Sequence, residues 1–218
     1  AFTTWCGPCK WMAANIFPQE KVGTFFNENF VNLKIQMDET PEDNEDVKSW
    51  REEAKRFAKD YKVAAYPTFL IFSPEGELVH RIVGGGEADQ FIALAKEGLD
   101  PNTQYETLVK KFTKKPNDKA IAIAMAAAAE KAYDRDMTAK AIESVINNSS
   151  ADELLQDDIL KLISKNVGKP GSKAFNTLLE NKEKVDAKLG AGKTDQILSV
   201  SIINSVIAPV VMKSEADI

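Results

Sequence analysis

Phe2-Thr3-Thr4-Trp5-Cys6-Gly7-Pro8-Cys9-Lys10 is the stretch on which the reading of this chain turns. Phe2 to Trp5 reads as the end of a strand, Cys6-Gly7-Pro8-Cys9 as a turn, and Lys10 to Phe17 as a helix. A strand feeding a helix puts the cysteines where unpaired backbone N–H groups and the positive end of the helix dipole favour thiolate over thiol. Cys6 is expected at the exposed first turn, as the nucleophile. Cys9 follows one turn later on the same face, within reach of a mixed disulfide formed at Cys6. Pro8 fixes the turn, and its missing N–H costs little at the start of a helix.

Outward from that turn the pattern is α/β. Pro18 interrupts the first helix, and a second resumes through Phe25, Phe26 and Asn29. Phe30 to Met37 alternates with period two and predicts a strand, ended by Asp38. Glu39 to Asp46 packs five acids and a proline into eight residues, the composition of a solvated loop. Val47 to Tyr61 predicts one helix with Trp50, Ala54, Phe57 and Tyr61 on one face. Pro67 opens Thr68 to Phe72, an apolar run suited to a buried strand. Ser73-Pro74-Glu75-Gly76 turns it back into Glu77 to Val83, and Gly84-Gly85-Gly86 breaks that partner strand. Glu87 to Gly98 closes the region as a helix with Phe91, Leu94 and Ala95 inward. The order strand–helix–strand–helix–strand–strand–helix is a layered α/β arrangement.

Composition narrows the function. At 218 residues the chain has room for two modest domains. Its 44% hydrophobic and 28% charged residues are those of a folded globular protein rather than a disordered one. A net charge of −5 argues against a nucleic-acid partner. Residues 1–100 carry 11 basic against 17 acidic residues, while the rest is close to balanced, so the composition shifts near the middle. The longest apolar run, Ala120 to Ala129, is too short for a bilayer, so no membrane span is expected. Cys6 and Cys9 are the only cysteines and cannot staple a chain of this size. A zinc site would need two further ligands, and the one histidine, His80, alternates with Leu78 and Ile82 as a packing or surface residue. Two thiolates also suit a soft ion such as Cu(I), yet no methionine cluster stands beside them. A redox pair is the leading reading.

Trp5-Cys6-Gly7-Pro8-Cys9-Lys10, with Tyr66-Pro67-Thr68-Phe69 downstream and Val83-Gly84 after the hairpin, resembles thioredoxin. The spacing Trp-Cys-x-x-Cys-Lys-x-Met, followed by Phe-Phe-x-x-Asn-Phe-Val-x-Leu-Lys, is similar to a bacterial thioredoxin-like branch. That branch is related to the C-terminal domain of membrane thiol–disulfide interchange proteins. The resemblance covers about residues 1–100 and implies Cys6 as the attacking cysteine and Cys9 as the resolving one. It implies a cis-proline at Pro67, a Tyr66 backbone that pairs with a substrate strand, and Trp5, Gly7, Pro8 and Gly84 as groove residues. It places Lys34 near a buried acid under the cysteines, where it would tune the thiol pKa; a polar position on a solvated strand face is the alternative. The family's first strand and helix have no counterpart in this sequence. The expectation is therefore a thioredoxin-like α/β fold without them, in a chain that is part of a longer protein. The implied activity is reduction or exchange of protein disulfides, with an upstream electron donor and no cofactor. The implied location is the bacterial periplasm or cell envelope, with the cytoplasm as alternative. A non-catalytic peptide-binding module with a redox-sensing domain is the competing reading.

Residues 101–218 read as helix throughout. Segments at 103–114, 117–133, 136–147, 151–166, 172–189 and 193–213 are separated by turn signals, predicting an all-α accessory domain of helical hairpins. These hairpins have a tetratricopeptide-like length without a clean 34-residue repeat. Ala124 to Ala129 would let neighbouring helices approach closely. Ile197 to Val211 is apolar on most of its circumference, which predicts burial within its own domain. Covering a partner, or a second copy through self-association of the C-terminal helices, is the lesser alternative.

Overall fold

Cys6 caps α1 (Gly7–Asn15), and Pro18 separates it from α2 (Glu20–Asn29) in the computed structural model, which describes residues 1–211. Contacts divide the chain into two compact units. The first comprises residues 1–108 with 131–133, the second the remainder.

In the first unit α3 (Glu45–Ser49) and α4 (Arg51–Asp60) follow, then β1 (Thr68–Phe72), β2 (Leu78–Val83) and α5 (Ala88–Glu97). The two strands pair antiparallel from Thr68 opposite Val83 to Ile71 opposite His80. The segment before α1 lies against this two-stranded sheet, where Thr68 N–H donates to the Ala1 carbonyl at 3.1 Å. On its other side Phe2 N–H donates to the Ile35 carbonyl at 3.1 Å, and Met37 N–H donates to the Phe2 carbonyl at 2.8 Å.

The structure departs from the expected elements at two places. Residues 30–37 do not form a strand; a single parallel bridge joins Phe2 to Gln36. The alternation is real, but only Ile35 is buried, while Val31 and Leu33 lie exposed beyond the reach of that bridge. Period two marks extended backbone, and only a paired neighbour makes it a strand. The helix expected over 47–61 breaks at Trp50, whose N–H closes onto the Val47 carbonyl at 3.2 Å before α4 restarts. Ala54 is buried, and Phe57 and Tyr61 pack on Phe72.

The acidic loop is more than a solvated run. The Asp43 carboxylate is buried and accepts from Gln36 Nε2, Thr40 N and Oγ, and Arg51. These hydrogen bonds, with that of Thr40 the largest effect, hold its carboxyl well below the usual range. One core lies between α1, α2 and α5. Met12, Ile16, Val22, Ala88 and Phe91 are buried, with Phe26, Phe69 and Ile92 packed against them. Phe91 is its hub: Phe26 stacks on it at 4.7 Å and Phe69 tilts against it at 4.7 Å.

The helical region consists of α6 (Tyr105–Lys114), α7 (Lys119–Lys131), α8 (Arg135–Asn147), α9 (Ala151–Leu154), α10 (Asp157–Ile163), α11 (Lys173–Glu180), α12 (Lys182–Leu189) and α13 (Lys193–Ile202). The helices expected over 151–166 and 172–189 are each split. Gln156 is an extended cap between α9 and α10, and Asn181 ends α11 before α12. Ala122, Met125, Ala126 and Ala129 form the buried face of α7, while Ala124 and Ala127 of the small-residue run are exposed. After α13 a π-helical turn, Ile203–Ile207, carries the helix on to Val211. The turn lies ahead of Pro209, whose missing N–H and bulky ring do not fit a regular α-helix interior.

The predicted burial of 197–211 is overturned. Thr194 and Leu198 are buried, but Val200, Ile203, Ile207 and Val210 are exposed, because α11 and α12 cover only the first turns of this helix. Among the described residues, Lys193–Val211 is also the one helix long and apolar enough to cross a membrane by length and composition. Reading uninterrupted apolar runs passes over it, since Ser199, Ser201, Asn204 and Ser205 break the run. Residues 212 and 213 of the expected helix lie outside the described residues.

Candidate functional site

The cysteines sit where a turn becomes a helix. Cys6 N–H donates to the Thr3 carbonyl at 3.3 Å, closing a turn over Thr4 and Trp5. The Cys6 backbone is extended, and its Sγ accepts from Cys9 N–H at 3.1 Å, so the sulfur itself caps α1. Cys6 and Cys9 are joined as a disulfide. Cys6 is 3% exposed and Cys9 7%, which corrects the expectation of an exposed Cys6: its sulfur turns inward to the helix end and to Cys9. Gly7 and Pro8, between them, are exposed.

Around this turn the structure brings several of the predicted residues together. Trp5 is 69% exposed and meets Tyr66 edge-to-face at 5.9 Å. The Tyr66–Pro67 peptide is cis, and Pro67 is buried. The Pro67 carbonyl accepts from Gly84 N–H at 2.8 Å, and Gly84 holds φ at +91°, a left-handed conformation that favours glycine. Cys9 and Pro67 line a common cleft of about 640 Å³ whose apolar walls include Met12, Phe26, Phe69 and Phe91. Lys34 lies at the rim of this cleft, solvent-exposed, with its ammonium 4.3 Å over the Phe2 ring. That is the position of a polar residue on the open side of the extended segment.

Sequence reasoning passed over one pair. The Asp38 carboxylate accepts from Thr4 N–H at 2.9 and 3.1 Å and from the Thr4 hydroxyl. In sequence Asp38 marks only the end of the alternating segment. The signal was its register, one residue beyond the backbone paired with Phe2. Burial, and then the Asp38 charge, holds the Tyr66 phenol above its ordinary pKa. His80 is buried in β2, where Nδ1 accepts from Tyr105 N–H at 3.1 Å. It is a packing residue, and burial lowers its pKa. Among the described residues, no three His, Cys, Asp or Glu side chains cluster as metal ligands.

Residues 2–99 match the model of the thioredoxin-like domain family. Among curated proteins, the chain is 31% identical over 91 residues to a thioredoxin-like protein of Synechocystis, covering 42% of this chain and 70% of that one. It is 37% identical over 83 residues to Thioredoxin-2 of Pyricularia oryzae, covering 38% of this chain and 37% of the relative. It is 34% identical over 87 residues to a thioredoxin of Echinococcus granulosus, covering 40% and 64%. The chain thus spans little more than a third of the Pyricularia protein's length. No solved structure matches it.

Proposed function

Since the chain belongs to the thioredoxin-like family and so takes a thiol–disulfide redox role, we propose that it reduces or exchanges disulfides of protein substrates through Cys6 and Cys9. The observation that carries this reading is the cysteine pair at the N-terminus of α1, with Cys9 N–H directed at the Cys6 sulfur. The same N–H that caps the helix is a donor to a Cys6 thiolate, and the helix dipole adds to its stabilisation.

In the reaction, the Cys6 thiolate attacks a substrate disulfide. A Cys6–substrate S–S bond forms, the substrate S–S bond breaks, and one substrate thiolate leaves. Cys9, deprotonated, then attacks the Cys6 sulfur. The Cys6–Cys9 bond forms and the second substrate thiolate departs, so two electrons pass from the dithiol to the substrate. An external dithiol donor reverses the change. Trp5, Tyr66, Pro67 and Gly84 form the groove beside the pair, where an extended substrate segment would lie. Residues 101–218 serve as an accessory module for substrate or partner binding.

Serine variants test the assignment. Cys6→Ser is expected to abolish exchange with a model protein disulfide, and Cys9→Ser to accumulate a mixed disulfide on Cys6, seen on non-reducing gels. Equal trapping by both variants would remove the assignment of roles.

A further inference from the structure

The Thr4–Asp38 contact lies outside the exchange chemistry but is built onto it. Thr4 is inside the turn that Cys6 N–H closes onto Thr3, two residues before the cysteine. The N–H of a residue within such a turn has no partner in the turn itself and needs an acceptor from elsewhere. Asp38, 34 residues away in sequence, supplies it with both carboxylate oxygens and also takes the Thr4 hydroxyl. Asp38 is itself held. Its carbonyl accepts from Gln36 Nε2 at 3.1 Å, and the same amide donates to buried Asp43 at 2.8 Å. One residue earlier, Met37 N–H donates to the Phe2 carbonyl. The turn is thus gripped at Phe2 by backbone and at Thr4 by a half-buried carboxylate.

We infer that Asp38 is a positioning residue for the dithiol, holding through Thr4 the turn that sets Cys6 at the N-terminus of α1. The inference rests on the exchange reaction proposed above. Cys6 gains from the helix end only if its sulfur stays on the Cys9 N–H, and that depends on where the turn delivers it. Two effects of Asp38 on the Cys6 thiol have opposite sign. Its negative charge disfavours a nearby thiolate, while its grip on the turn favours one. Of the other ionisable groups nearby, the Tyr66 phenol feels the Asp38 charge, exposed Lys10 follows Cys9 in α1, and the Lys34 ammonium lies over the Phe2 ring.

The opposition makes the test decisive. The pH dependence of iodoacetamide reaction at Cys6 reads its thiolate fraction, in the full chain with Cys9→Ser. Asp38→Ala is expected to raise the midpoint by about half a pH unit, leaving roughly threefold less thiolate near neutral pH. Thr4→Val should raise it by less, and the double variant should match Asp38→Ala alone, because the hydroxyl acts only through the carboxylate. A downward or unchanged midpoint in Asp38→Ala, with Thr4→Val also leaving the midpoint unmoved and a native circular dichroism spectrum in both, would show no effect through the turn and would overturn the positioning role. So would additive shifts in the double variant. Should Asp38→Ala fail to fold, Thr4→Val alone decides by the presence or absence of its upward shift. The unmodified chain is first equilibrated with dithiothreitol. Absence of a reversible Cys6–Cys9 couple there counts against the exchange reading itself, separately from any result at Asp38.

Discussion

Phe91→Ala tests whether the ring cluster under α1 is the core of the first unit. Phe91 is 3% exposed and touches Phe26 and Phe69, each at 4.7 Å between ring centres, and Phe17 at 6.0 Å. Removing a buried phenyl ring costs about 3–5 kcal/mol, from lost transfer energy and from the cavity left behind. Here one side of the ring already borders the cleft, so the surroundings lose fewer contacts and the low end applies, about 3 kcal/mol. For a unit of this size that corresponds to a fall in Tm of roughly 12–24 °C. Urea unfolding followed by tryptophan fluorescence is the assay. All three tryptophans, Trp5, Trp11 and Trp50, lie in the first unit, so the signal reports on that unit. A loss below about 0.5 kcal/mol, the range of an ordinary surface change, would refute the packing described around Phe91.

Two further outcomes follow from the same unit. Burial holds the His80 imidazole below its ordinary pKa of 6.5, so the unfolded chain takes up that proton first as the pH falls. Stability from this group is fully present above pH 6.5 and declines below it; the urea midpoint should drop between pH 7 and 5.5, and His80→Gln should flatten that drop. The second compares the oxidised and reduced chains. If the pair works as a reductant, the disulfide form unfolds at higher urea, and each 1.4 kcal/mol of difference corresponds to about 30 mV relative to the unfolded chain. A more stable dithiol form would mark an oxidant.

What the sequence made legible was local. Pro18 between α1 and α2, Ser73-Pro74-Glu75-Gly76 between β1 and β2, and the cysteines at a helix start all rest on neighbours a few positions apart. Misread features depended on distant partners. Phe30 to Met37 has strand alternation, but its pairing is decided by how far the Phe2 segment runs beside it. Asp43 looked like one acid among five, yet its acceptors are filled by Gln36, Thr40 and Arg51, and no count of charges reveals that. The apolar character of 197–211 was readable; whether anything covers it was not, because periodicity identifies a face and says nothing of its neighbour.

The reactive pair brings these distances together. Two cysteines three apart can form a disulfide in an unfolded peptide, so the chemistry needs little from the fold. What the fold changes is the difference in free energy between dithiol and disulfide, and only contacts that distinguish the two states contribute to it. Met12 and Ile16 anchor α1 in the core through apolar contacts, which carry no charge that changes with the state of the pair. The Cys9 N–H on the Cys6 sulfur is different, because a thiolate accepts it far more strongly than a sulfur in a disulfide. Any group that fixes this geometry, as Asp38 does through Thr4, therefore acts on the redox equilibrium without touching either sulfur. Core residues govern whether the first unit folds, and by the inference drawn above the residues around the Thr3–Cys6 turn tune the balance between dithiol and disulfide.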